Sequence, residues 1–576
     1  MRTKWYLFGC LTSVLLVLLF IYLTINSIAK IATKPSVPKI ANNSVLHIVL
    51  KGALQEYTEI SDINFSFLPT SAHDIVQKIN TAENDPRIRA ILLEPQGVMA
   101  NRATVNEIMR ALTEFRSTGK KVYGYINMAT QSDINLLGAA DEVYMNPSTS
   151  AGFFMHGVGG SIGYYKDLLD KLGISVHIVR AGDYKSAGEN FTRSSMSPEM
   201  RRNLTQLYDD IYAQFLTDLS RNYNTSRENF RQIIEYREEY LISHRRASEY
   251  GIVDELIHYD NLLKKLEITD DQLVKLSRYN AETPRAHMNR IAVIYAQGNI
   301  TPTTPQFGES NINSNQFVKM LDKIEKDRNI KAVVIRVNSP GGSAMESEII
   351  LARIEQLKSV KPVVVSMSGV AASGGYYISA NANYIFADPY TVTGSIGVVS
   401  MIPDLSDVAN NIGVNTEVLG HGKFLSSNDI FNLWNSDLER GMQIMTDDVY
   451  AEFKSRVARG RNMTLYEVEN VAQGQVWSAN AALQHRLIDG IGGLTDAIKK
   501  AAEIASIERY SINYFPERKT MLEVLFENQF NFSLAKMLIK KELPDFVSRP
   551  VDVGMDLLND IMIHPIQMRS EMIFDN

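Results

Sequence analysis

Three small-residue segments and one lysine hold the residue types that could do covalent chemistry. Asn338-Ser339-Pro340-Gly341-Gly342 lies between an apolar run and a helical stretch. Glycines at such a junction free backbone N–H groups to face an anion or a polarised carbonyl, although a plain strand-to-helix turn also uses glycine for its φ angles. Ala371-Ala372-Ser373-Gly374-Gly375 follows the next apolar run. Thr391-Val392-Thr393-Gly394-Ser395-Ile396-Gly397 then sets a serine between glycines, where a sharp turn exposes a hydroxyl. A serine needs a base, and no histidine lies near these segments. A lysine can serve where burial lowers its pKa. Lys185, in Gly182-Asp183-Tyr184-Lys185-Ser186-Ala187, follows the apolar run Ser175 to Val179 and has small neighbours, though an arbitrary lysine is usually a solvated surface group.

The elements that must position these residues come in two copies. Asn43 to Gly52 reappears as Asn289 to Gly298, Arg87 to Leu93 as Asn329 to Ile335, and Gly160-Ser161-Ile162-Gly163 as Gly394 to Gly397. Asp209 to Phe215 matches Asp447 to Phe453, and the offsets drift only between 234 and 246 residues. Within each copy, short apolar runs alternate with helical periodicity: Ala332 to Val337, Glu346 to Leu357 and Lys361 to Met367 in the second, Ala90 to Leu93, Thr104 to Phe115 and Lys121 to Ile126 in the first. This is the pattern of βα units around a mostly parallel sheet, so the expected fold is α/β, two tandem repeated units after one N-terminal transmembrane helix. The predicted organisation is a start at 1–4, an anchor at 5–26, a tether at 27–43, an N-terminal repeat at 44–269, a connector at 270–288, a C-terminal repeat at 289–510 and a tail at 511–576.

Composition narrows the classes. The 576 residues are 45% hydrophobic and 22% charged, enough for two sizeable cores. A formal charge of -6 offers no basic footprint for nucleic acid. The single cysteine, Cys10, excludes an intramolecular disulfide framework, and the ten histidines include no HExxH, so no metal or other cofactor is expected. Trp5 to Ile25 is free of charge and long enough at helical rise to cross a bilayer core of roughly 30 Å. Arg2 and Lys4 before the span, with a large domain after it, predict a single pass with the N-terminus inside and the bulk exported.

GSIG after TVT, AASGGYYIS, VNSPGG, DYKSA and the paired repeat together resemble the long form of bacterial signal peptide peptidase A, related to the Clp protease and crotonase superfamily. The resemblance implies an ATP-independent serine endopeptidase with a Ser-Lys dyad in the inner membrane, facing the periplasm. It further implies a homotetramer that degrades cleaved signal peptides and other apolar peptides. By that resemblance Ser395 is the nucleophile, Lys185 the general base and the backbone of Gly341 and Gly342 the oxyanion donors. Ser373 competes for the nucleophile, because Clp-type proteases place theirs in such a context. Lys423, in Gly422-Lys423-Phe424, competes for the base. The first copy has Glu94-Pro95-Gln96-Gly97 in place of the donor loop, so Ser161 is expected to be silent. Two readings from other classes stand beside the peptidase: a crotonase-like acyl-CoA enzyme and a non-catalytic membrane scaffold.

Overall fold

The computed structural model describes residues 40–59, 70–279, 287–303, 310–427, 429–431, 434–519 and 567–569, the last three by backbone alone. The anchor expected at 5–26 lies outside them; among the described residues, no helix is long and apolar enough to cross a membrane.

The first unit contains β1 (Ser44–Gln55), α1 (Ala72–Glu83), β2 (Ile88–Met99), α2 (Arg102–Ser117), β3 (Lys121–Ile126), α3 (Gln131–Leu137), β4 (Glu142–Met145), β5 (Ser175–Ala181), α4 (Pro198–Asn222), β6 (Glu255–Leu256) and β7 (Leu273–Lys275). Its sheet has the order β6-β4-β3-β2-β1-β7, parallel throughout. The second unit contains β8 (Arg290–Gln297), β9 (Asn299–Thr301), β10 (Asn311–Asn313), β11 (Ile330–Ser339), β12 (Gly341–Ser343), α5 (Ala344–Lys358), β13 (Val363–Ala372), α6 (Gly374–Tyr377), β14 (Val392–Gly394), β15 (Val398–Asp404), α7 (Ser436–Arg461), β16 (Val476–Ser478) and β17 (Ser511–Phe515). The matching order is β16-β14-β13-β11-β8-β17, with only β16 antiparallel. β11 and β13 read as nearly continuous apolar runs because helices cover both faces of a parallel sheet. α2 shows the complementary pattern: Val105, Ile108, Leu112 and Phe115 are buried at helical spacing, and Asn101 caps its start by accepting from the Thr104 N–H at 2.9 Å.

Two predicted boundaries shift. The connector at 270–288 was expected to be unpatterned and the tail to begin at 511, but β7 adds an edge strand to the first sheet through Val45↔Leu273, and β17 does the same to the second through Arg290↔Ser511. Strands of three to five residues are too short to impose a readable period.

The units are joined by buried charge and by a shared sheet. Arg336, 1% exposed, donates to Glu56 Oε1 at 2.8 Å, and Arg110 and Asn106 of α2 donate to Asp388 at 2.5 and 3.0 Å. Removing either partner of such a pair strands a charge away from water, which fixes how α2 sits on the second unit. The shared sheet runs β10-β9-β12-β18-β15-β5, where β18 is Gln567–Arg569. β5 of the first unit lies antiparallel to β15 of the second, with Ala181 opposite Val398 and Ser175 opposite Asp404.

Candidate active site

That antiparallel register decides which lysine meets which serine. Continued past the Ala181–Val398 pair, it sets Tyr184 level with Ser395 and Lys185 level with Gly394, one residue from the serine. A turn at Gln473-Gly474-Gln475 holds the two approaches together. The Gln473 carbonyl accepts from the Tyr184 N–H at 2.8 Å and its side chain from the Asp183 N–H at 3.0 Å. Gly474 N–H donates to Ile396 O at 2.8 Å, and Ser395 N–H donates to Gln475 O at 2.6 Å. Gly474 has φ +81°, and a Cβ there would stand 2.5 Å from Lys185 N, so a side chain would displace the lysine. Sequence reasoning missed this turn, since nothing in Ala-Gln-Gly-Gln betrays a contact made almost 290 residues away.

Ser373 arrives from the other direction. β13 ends at Ala372, Ser373 takes φ +53° and ψ -118°, and α6 begins at once. A non-glycine residue at such a φ carries strain that the surrounding structure must support. Gly375 is required by packing: a Cβ there would lie 2.4 Å from Ser339 O. β13 stands between the two other motifs, with Ala371 paired to Ser339 on one side and Ala372 to Gly394 on the other. The donor glycines therefore lie one strand from Ser373 and two strands from Ser395. Gly341 and Gly342 have φ of +108° and +149°, and a Cβ on Gly342 would meet Ile300 O at 2.2 Å, which explains why this loop has no side chains. Gly341 N–H donates to Ser339 Oγ at 3.2 Å.

At the junction Lys185 is 1% exposed. Its Nζ lies 2.8 Å from Ser373 Oγ, 3.1 Å from Ser395 Oγ and 3.0 Å from Ser395 O. Loss of water holds its pKa well below the usual 10.5, with no carboxylate opposing the shift. A neutral amine has two N–H donors and one lone pair, whereas an ammonium has three donors and no acceptor. The Ser395 carbonyl can only accept, so the neutral form gives it one N–H, gives a second to one hydroxyl and offers its lone pair to the other. Both serines expected from sequence are thus brought onto one lysine, and no local pattern in the sequence ranks their distances.

The rival positions are elsewhere. The Lys423 side chain is 73% exposed and its Nζ lies 3.8 Å from Asp437. Ser161 is exposed in irregular backbone. In the first unit the place of the donor loop is taken up internally, because the buried Asp133 carboxylate at the start of α3 accepts from the Gly97 and Val98 N–H groups at 2.8 and 2.9 Å.

A buried, water-stripped lysine against serine hydroxyls, beside a glycine loop on a parallel α/β sheet, defines a Ser-Lys hydrolase. The comparisons with known proteins narrow the class. The model of Peptidase family S49 matches residues 114–273 and 355–508, one segment in each unit, and that of Clp protease matches 293–389. The chain is 32% identical to Protease 4 of Haemophilus influenzae, over 80% of this chain and 79% of that one. It is 32% identical to Protease 4 of Salmonella typhi, over 80% and 76%, and 30% identical to the chloroplastic serine protease SPPA of Arabidopsis thaliana, over 81% and 70%. The chain belongs to peptidase family S49 and is a serine peptidase with a duplicated, Clp-like α/β fold. This displaces the acyl-CoA and scaffold readings.

Proposed function

We propose that Ser373 is the nucleophile, Lys185 the general base and Ser395 the residue that orients the lysine, in an endopeptidase acting on extended apolar peptides. The observation that carries this reading is the buried Lys185 amine within 2.8 Å of Ser373 Oγ. The choice of Ser373 over Ser395 departs from the assignment made by resemblance, and its physical basis is the donor loop. An attacked carbonyl must place its oxygen about 3 Å from the stabilising N–H groups, and only Ser373 has the glycine loop on the neighbouring strand. The Gly374 amide, first in α6 and without an intrahelical acceptor, adds to the donors expected at Gly341 and Gly342.

In this scheme the Lys185 lone pair takes the Ser373 proton as Oγ adds to the scissile carbonyl. The oxyanion forms among the backbone N–H groups, each worth about 100-fold to 1,000-fold in rate. The ammonium then returns the proton to the leaving amine, with an acyl ester left on Ser373. A water deprotonated by the same lysine hydrolyses that ester and restores the starting state.

The proposed setting is the inner membrane, with residues 5–26 as a single-pass anchor, the catalytic units on the periplasmic side and a homotetrameric assembly. The proposed substrates are signal peptides released into that membrane. The uncharged run Trp5 to Ile25 and the family resemblance support this. The test is hydrolysis of a synthetic signal peptide in detergent by the full chain, compared with a polar peptide of equal length and with Lys185→Ala. Preferential, Lys185-dependent cleavage of the apolar peptide is expected; equal cleavage of both overturns the substrate class.

A further inference from the structure

Lys185 closes a tight turn, and what holds that turn lies in the other unit. The Lys185 N–H donates to Gly182 O at 3.1 Å, and the two amides inside the turn both donate to Gln473: Asp183 N–H to its Oε1 at 3.0 Å, Tyr184 N–H to its carbonyl at 2.8 Å. Gly182 has φ +110°, and a Cβ there would stand 2.6 Å from the Gln473 carbonyl carbon, so the turn lies directly against Gln473. Gln473 itself has φ +60°, a strained setting for a residue with a side chain, and its surroundings must maintain it.

Those surroundings are a carboxylate and a phenol of the second unit. Gln473 Nε2 donates to Glu469 Oε1 on the short helix Leu465–Val471, and Gln473 N–H donates to Tyr450 Oη on α7 at 3.1 Å. Tyr450 donates in turn to the same Glu469 oxygen at 3.2 Å, and Lys454, one turn further along α7, donates to Glu469 Oε2 at 2.5 Å. All four polar groups of Gln473 are engaged, two by the Lys185 turn and two by the residues behind it. Hydrogen bonds to an ionised carboxylate are the stronger kind, which makes Glu469 the fixed point.

We propose that Gln473 is a positioning residue for the general base, and that Glu469, through Tyr450 and the Gln473 amide, keeps it in the conformation that holds Lys185 at the serine hydroxyls. Neither residue hydrogen-bonds the Lys185 amine, whose partners are Ser373 and Ser395, so each acts through the turn at 182–185. This role rests on Lys185 being the base and holds whichever serine attacks. A turn displaced by about 1 Å takes the amine out of reach of a hydroxyl 2.8 Å away, and misplacement of that size costs about 100-fold in rate.

The test exchanges the two side chains in the full chain at about pH 8, where both carboxyls are ionised. Gln473→Glu sets like charges where a hydrogen bond stood. Adding Glu469→Gln restores an amide-to-carboxylate pair of opposite sense that still accepts from the Asp183 N–H. The readouts are kcat and KM on a fluorogenic apolar peptide, with the denaturant midpoint as the check on folding. Gln473→Glu is expected to lower kcat on the order of 100-fold with KM within about twofold, and the exchanged pair to recover at least about tenfold of that loss. A residue that only stabilised the fold would move the midpoint and leave turnover of the folded protein alone. Tyr450→Phe keeps the ring and removes the hydroxyl between Gln473 N–H and Glu469; it should lower kcat on the order of tenfold at unchanged KM, and it reads the same link if Gln473→Glu does not fold. Wild-type kcat in Gln473→Glu and Tyr450→Phe overturns the proposal, as does an exchanged pair no more active than Gln473→Glu. Lys185→Met separates the two readings. If it is inactive while Gln473→Glu turns over normally, the positioning role alone falls; if it stays active, the base falls and this role with it.

Discussion

Replacing Lys185 with methionine should abolish peptidase activity and make the folded protein more stable at neutral pH. The amine is 1% exposed and its pKa is held well below 10.5 by desolvation alone. An unfolded lysine titrates near 10.4, so discarding its proton on folding at pH 7 costs about 4 to 5 kcal/mol, at about 1.4 kcal/mol per pH unit. Methionine of similar length removes that cost but leaves the Ser373 and Ser395 groups without their amine, a loss of about 1 to 3 kcal/mol. The net expectation at pH 7 is a gain of about 1 to 4 kcal/mol. The sign of the pH dependence follows from proton counts: the unfolded chain binds the extra proton, so wild-type stability rises with pH from the lowered folded pKa up to about 10.4 and then levels off. The advantage of Lys185→Met should therefore shrink by about 1.4 kcal/mol per pH unit between pH 7 and 9. Denaturant midpoints of the two proteins at pH 7, 8 and 9 measure it. A stability difference that does not change with pH would mean that Lys185 stays charged in the folded state, and the argument for a neutral base would be refuted.

Three further outcomes are expected. In a pH profile of kcat/KM, activity rises as Lys185 loses its proton, so the acid limb falls well below pH 10.5 rather than at the position of an ordinary lysine. Gly474→Ala pushes a Cβ to 2.5 Å from Lys185 N and 2.6 Å from its Cα, and should lower kcat on the order of 100-fold while KM stays nearly unchanged, as read from steady-state kinetics. Ser161→Ala removes an exposed hydroxyl in the unit whose donor groups are already taken by Asp133, and its kcat/KM should stay within about twofold of wild type.

Much of the fold was legible because the duplication let each copy check the other: apolar runs at β2 and β11, or β3 and β13, recur in order with helices between them. The site was legible as a set of residues and not as an arrangement. Lys185 could be picked out by its small neighbours, but its burial depends on β5 leaving its own unit to pair with β15, a contact that no local period records. Ser373 and Ser395 both stood out by their glycine context. Ranking them required knowing that β13 lies between β11 and β14, which is a property of strand order. Gly474 and the Gln567–Arg569 strand act only through distant partners and left no pattern. Asp133 was equally hidden, because a carboxylate filling a former donor loop looks in sequence like any helix-capping acid.

The most direct test of the central claim is to label the wild type, Ser373→Ala, Ser395→Ala and Lys185→Met with a fluorophosphonate and to locate the adduct by peptide mass mapping. The account predicts an adduct on Ser373 in the wild type, none in Ser373→Ala or Lys185→Met, and slowed labelling still on Ser373 in Ser395→Ala. An adduct on Ser395 that persists in Ser373→Ala would contradict it and return the nucleophile to the GSIG serine.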